Sequence, residues 1–173
     1  TIHDHDCKIM IQLTHLGRRT SWSKGDWLPS LSSGKHREPA HKAFPKVMES
    51  WDIDRIIKEY GDAAERMKEG GMDGVELEGQ GHLIGQFLSP LTNELITEYG
   101  GSLENRLRFT IEVLSDIRKK VGQDFIVGIR CVFDEVEEGG ITKSEGLKIA
   151  KILSDSGLVC LLYTSPSPRD CRL

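Results

Sequence analysis

The stretch VELEGQGHLIGQF, residues 75–87, starts as a strand, breaks at Gly79 and Gly81, and places His82 just ahead of a new apolar run. A strand that ends in a polar, glycine-broken segment suits the mouth of a barrel, where sites are built at the C-terminal ends of the strands. Upstream, CKIMIQL (7–13) is a short apolar run with β-branched residues, read as a buried strand ending near Gln12. The segment 14–51 holds Gly17, Gly25, Gly34, Pro29, Pro39 and Pro45 without any sustained period, and loops this long usually carry function. Asp52 is placed to cap a helix reaching about Glu69, with Ile53, Ile56, Ile57, Tyr60, Ala64 and Met67 three and four residues apart before Gly70 and Gly71 stop it. A strand over 74–77 follows at once. Ser102 opens a second long helix through Leu107, Phe109, Ile111, Leu114 and Ile117 to about Val121, and FIVGIR (125–130) makes the next buried strand. Thr142 and Glu145 form a T-x-x-E capping box that opens a third helix, through Leu147, Ile149, Ala150 and Leu153 to Gly157.

This order of strands, loops and helices is the signature of a parallel sheet with helical crossovers. An open doubly wound sheet and a (β/α)8 barrel both satisfy it. The barrel is favoured because polar residues gather at successive strand ends, at Gln12, at Glu76 to Gln80 and at Arg130. A barrel needs about 250 residues, and this chain supplies about three or four of the eight units. The expected fold is therefore an incomplete α/β TIM barrel.

With 173 residues, 38% hydrophobic and 29% charged, the chain can bury one sizeable core, which excludes disorder and collagen-like repeats. The 23 basic and 27 acidic residues are mixed along the chain and sum to −4, leaving no basic block for nucleic acid. A small-molecule substrate is the expected partner. Cys7, Cys131, Cys160 and Cys171 make no CxxC pair or metal spacing, so a reduced, cytoplasmic setting is expected and no metal site is assigned. No apolar run approaches the roughly 18 residues of a membrane span, and no leader is visible, although the chain opens without an initiator Met. His3, His5 and Asp6 are assigned to a solvated loop.

After Leu158 a fourth strand begins as VCLLYTS and runs into PSPRDCRL, whose prolines forbid both a ladder and a crossover helix. CLLYTSPSPRD is similar to the translation of a transposase sequencing adapter. The expected division is a partial barrel over 1–159 and a non-native tail over 160–173.

The motifs QLTHLGRR (12–19), DGVELEGQGHLIGQFLSPLTN (73–93), YGGSLENRLRF (99–109) and DFIVGIR (124–130) together resemble the flavin-dependent old yellow enzyme family, over essentially all of 1–159. Within it the chain resembles the branch of dienoyl-CoA reductase and trimethylamine dehydrogenase. QLTHLGRRTSWSKGDWLPS with REPAH is similar to N-methylproline and betaine demethylases of that branch. The resemblance implies a TIM barrel, here about strands 3 to 6, with FMN at its C-terminal mouth. It also implies NAD(P)H and a 4Fe-4S cluster as candidates for the remainder, and an oligomer as a candidate assembly.

Carried over residue by residue, Gln12 matches the glutamine at the flavin pyrimidine edge, where an amide offers both donor and acceptor. Arg130 matches the strand-end arginine near flavin N1 and O2, a fixed cation that stabilises the anionic reduced ring. The plainer alternatives are an amide satisfied by loop backbone and a structural salt bridge to a barrel acid. His82 stands where many relatives have a proton-donating tyrosine, and imidazole can serve as acid or base near neutrality. Gln80 takes roughly the place of the second residue of the His-x-x-His or His-x-x-Asn pair that clamps a carbonyl oxygen in typical enone reductases of the family; this chain lacks that pair. Trp22 and Trp27 offer aromatic faces to a methylated ammonium, with loop packing as the alternative. His15 and Arg18 sit beside the mouth, Arg18 suited to a substrate carboxylate. Asn105 and Arg106 of the GGSLENR box are read as structural.

The leading expectation is oxidative N-demethylation of a small amine, with hydride passing to flavin N5 and the iminium hydrolysing to formaldehyde. The alternative keeps the flavin and reduces an activated double bond, His82 supplying the proton. A third reading is a metal-dependent hydrolase on His15, Glu76 and His82, and a fourth is a fragment inactive by itself.

Overall fold

In the computed structural model, which describes residues 1–20, 29–39 and 44–160, three parallel strands run side by side in the order in which they occur in the chain. They are β1 (Met10–Leu13), β4 (Gly74–Gly79) and β5 (Ile126–Cys131). Between β1 and β4 lie the two-residue strands β2 (Leu31–Ser32) and β3 (Lys46–Val47), paired in parallel, and helix α1 (Ser50–Glu69). Helices α2 (Leu83–Leu88) and α3 (Leu103–Val121) connect β4 to β5, and α4 (Lys143–Asp155) follows β5. This is a segment of a TIM barrel.

Register explains how the sheet divides its two faces. Val75 lies beside Ile11 and Val127, and Leu77 beside Leu13 and Ile129. Val75, Leu77 and Val127 are fully buried in one core with Ile53, Ile56 and Ala64 of α1 and Phe109, Val113 and Ile117 of α3. Each such side chain contributes about 1.5–3 kcal/mol by leaving water. Because side chains alternate, the opposite face carries Gln12, Glu76, Glu78 and Arg130. β4 therefore continues through Gly79, two residues past the expected end, and the chain turns at Gly81, whose φ of +66° suits glycine.

Helix starts follow local chemistry. Ser102 caps α3, its side chain accepting from the Asn105 amide at 3.3 Å, and Gly122 at φ +77° ends that helix. Replacing Ser102 by alanine should cost about 1 kcal/mol of unfolding free energy in the intact enzyme, and Ser102→Asp should cost little. Urea titration checks both, and equal losses in the two variants would argue against the cap.

Three expectations need correction. Asp52 is not the cap of α1: Glu49 is, and Asp52 closes a reciprocal box by accepting from the Glu49 amide at 3.0 Å while Lys46 Nζ sits 2.7 Å away. At Thr142 only half a box forms, because the Glu145 carboxylate is drawn to Arg106. His3 to His5 make a 3-10 turn, and His3 Nε2 reaches Asp73 Oδ2 at 2.8 Å rather than only water. Among the described residues no group of three His, Cys, Asp or Glu could hold a metal.

Beyond α4 the Cys160 amide donates to the Val127 carbonyl at 2.8 Å. Arg118 secures that approach, donating to the carbonyls of Leu158 and Phe125 at 2.7 and 2.6 Å. The adapter-like tail lies outside the described residues from 161 onward.

Candidate active site at the strand ends

The C-terminal ends of the three strands bring four polar side chains onto the open face of the sheet. Gln12 Nε2 donates to Glu76 Oε2 at 2.7 Å, and Arg130 Nε stands 3.4 Å from the same oxygen. Glu76 thus fixes an amide from the strand before it and a guanidinium from the strand after it. The Arg130 side chain stays 55% exposed, so most of its donor fork faces outward. An amide and a guanidinium from neighbouring rows, held by a single carboxylate, fit a ring edge of alternating carbonyl and N–H groups, and in that sense the residues fit FMN.

One row further along β4, Glu78 lies beside Arg130 in register, yet the guanidinium has gone to Glu76. Glu78 is 9% exposed and accepts the Gln80 amide at 2.7 Å. Its charge reaches the Cys131 thiol, which burial first and Glu78 second push up to about 12. Sequence reasoning placed Glu78 among the polar residues of the strand end and gave it no role.

His82 takes the cap position of α2, and its Nδ1 is 2.8 Å from the Thr14 hydroxyl. The ring is thereby tied to the end of β1, with Nε2 left as its other exchange site. Gln80 is exposed, and its backbone amide rather than its side chain makes the contact just described. His15 acts as a brace. Its amide donates to the Tyr60 hydroxyl at 3.0 Å, its carbonyl accepts from Leu83, and its Nδ1 accepts from Gly17, which places the proton on Nε2. It lines a cavity of about 160 Å³ with Leu13, Ile56 and Tyr60, between β1 and α1, and burial holds its imidazole below the ordinary value.

Arg18 sits at the other side of the β1 loop. Its amide donates to Gln86 Oε1 at 3.0 Å, while its buried Nε has no hydrogen-bond partner among the described residues. Trp22 and Trp27 lie outside the described residues. The organiser of this corner is Gln86, 1% exposed, which the sequence reading passed over. Its Oε1 also accepts from Ser32 Oγ, and its Nε2 donates to the carbonyls of Leu16 and Gly81. A Cβ at Gly17 would fall 2.2 Å from Gln86 Oε1, so the glycine admits the amide. The available signal was a lone amide inside the apolar run LIGQFL.

Arg106 and Asn105 are structural, as expected. Arg106 binds the carbonyls of Leu88 and Gly101 and the Glu145 carboxylate, and Asn105 binds the carbonyl of Gly100.

Comparison with known proteins shows the family. The chain is 63% identical over 158 residues to the protein named "Probable N-methylproline demethylase" of Rhizobium meliloti, covering 91% of this chain and 23% of that protein. It is 45% identical over 157 residues to the "Multifunctional alkene reductase/demethylase OYE" of Caballeronia cordobensis, again covering 91% of this chain and 23% of the relative. The chain thus spans about a quarter of the length of these relatives. Among solved structures, 2-naphthoyl-CoA reductase superposes with a TM-score of 0.81 at 30% identity, over 90% of this chain and 26% of that one. The sequence profile described as NADH:flavin oxidoreductase / NADH oxidase family matches residues 1–163, a span that takes in every strand end described above, and the chain belongs to that family.

Proposed function

We propose that the enzyme carrying this segment is an FMN-dependent oxidoreductase that oxidatively removes a methyl group from the nitrogen of a small amine. The observation that carries this reading is at the end of β4. There the Gln80 backbone amide is taken by the Glu78 carboxylate, so the strand end presents an anion beside the place where a substrate carbonyl would need hydrogen-bond donors. The relatives named for demethylation support the same direction.

When bound, FMN supplies the hydride acceptor. Gln12 and Arg130, both fixed by Glu76, hold the pyrimidine edge of the ring and favour negative charge on it. Arg18, with its unspent buried Nε, pairs with a substrate carboxylate. Thr14 holds Nδ1 of His82, leaving Nε2 to take a proton from the water that hydrolyses the iminium product. Onward electron transfer, to a nicotinamide or a 4Fe-4S cluster, is assigned to the rest of the enzyme.

Incubation of the intact enzyme with N-methylproline should release formaldehyde in step with the secondary amine, while simple enones turn over slowly or not at all. Enone reduction without formaldehyde would favour the second reading, an ene reductase, which the alkene reductase name of one relative keeps in view.

A further inference from the structure

Three acids are buried among the described residues, and two of them have a cation. Asp52 has Lys46 at 2.7 Å and Glu38 has Arg19 at 3.8 Å. Glu78, more than nine-tenths buried, has none among the described residues; its one hydrogen bond there is the Gln80 amide on Oε1. The nearest candidate by register, Arg130, is committed to Glu76. Oε2 of Glu78 is not among the buried atoms that lack a partner, so it opens to solvent at the strand end. A carboxylate open at a strand end with no cation beside it among the described residues can take a ligand that brings that charge.

The chemistry of that ligand follows from the surroundings. A metal ion is disfavoured because no group of three His, Cys, Asp or Glu gathers there among the described residues. A neutral carbonyl would present its negative end to an anion. An organic cation answers the charge, and its alkyl groups need no further hydrogen bonds.

We propose that Glu78 is the counter-charge for the substrate's cationic nitrogen and makes the mouth select alkylammonium compounds over neutral molecules of the same shape. This rests on, and deepens, the amine reading of the site. It gives a zwitterionic amino acid two anchors, Glu78 for nitrogen and Arg18 for the carboxylate.

The test compares two ligands that carry no N-methyl group and therefore do not turn over. Proline and tetrahydrofuran-2-carboxylate share ring and carboxylate, with oxygen replacing the charged nitrogen in the second. Calorimetric titration of the intact holoenzyme should give at least a 30-fold preference for proline. Glu78→Gln should lose that preference by weakening proline alone, on the order of the 30-fold or more expected when a buried charge pair loses one member. Glu78→Asp should keep the preference. Flavin absorbance per protein reports whether each variant is folded; should Glu78→Gln not hold flavin, the wild-type ratio and Glu78→Asp still decide. Equal binding of the two ligands by the wild type, or an undiminished preference in Glu78→Gln, overturns the proposal. The two readings fail separately. Formaldehyde release with an unaffected Glu78→Gln sinks the role of Glu78 alone, and a Glu78-dependent proline preference without formaldehyde release sinks demethylation alone.

Discussion

Replacing Arg106 by alanine in the intact enzyme should lower the unfolding free energy by about 3–5 kcal/mol, the loss typical when one member of a buried ion pair is removed. Arg106 is 5% exposed and serves three elements at once. Its Nε donates to the Leu88 carbonyl at the end of α2, its Nη1 to the Gly101 carbonyl before α3, and its Nη2 to Glu145 in the first turn of α4. Alanine would leave two carbonyls and a carboxylate without a donor. Lysine keeps the charge and loses the fork, so Arg106→Lys should fall between the two. Urea denaturation with an unchanged m-value is the measurement. A loss under about 1 kcal/mol for alanine would mean that water replaces the guanidinium at little cost.

Arg130→Gln should act on the cofactor rather than on the fold. Hydrogen bonds to charged groups contribute about 1.5–3 kcal/mol, so retention of FMN by the intact enzyme should weaken roughly 10- to 100-fold. Fluorescence of released flavin on dilution reads the change directly. The half-exposed guanidinium makes little packing contact that glutamine would lose, so stability should change far less. An unchanged affinity for FMN would leave Arg130 only its place beside Glu76, the plainer alternative that the sequence offered.

The fold was legible wherever burial imposed a period. The cores of α1, α3 and α4 appear as apolar residues three and four apart, and β4 and β5 as short buried runs between glycines and polar caps. Legibility failed where period carried no information. α2 is six residues long and wholly buried, so it has no polar face to alternate with. The β2–β3 pair has two residues on each side, too few for any pattern. Glu49 and Asp52 both bear carboxylates three residues apart, and the sequence alone does not say which caps and which closes the box.

Within the site, the residues found by motif are Gln12, Arg130, His15, Arg18, Gln80 and His82, and the structure draws Gln12 and Arg130 onto one carboxylate. What motif could not supply was Glu78 and Gln86, because each matters through an absence or an excess of partners. A carboxylate lacking a cation among the described residues and an amide with four side-chain hydrogen bonds look like any other Glu and Gln in a string.

The strands of the main sheet stand in the order in which they are synthesised, each joined to the next by helix. Within this segment β4 and β5 thus each find their neighbour already made, and neither of these pairings waits for a distant partner. Growth of the wall can proceed one unit at a time in the direction of translation, with β5 as the advancing edge and Cys160 already bonded to Val127. A stalled chain would then hold an ordered wall whose exposed ladder attracts other strands, so chaperone demand should peak between successive strands rather than at the end of synthesis.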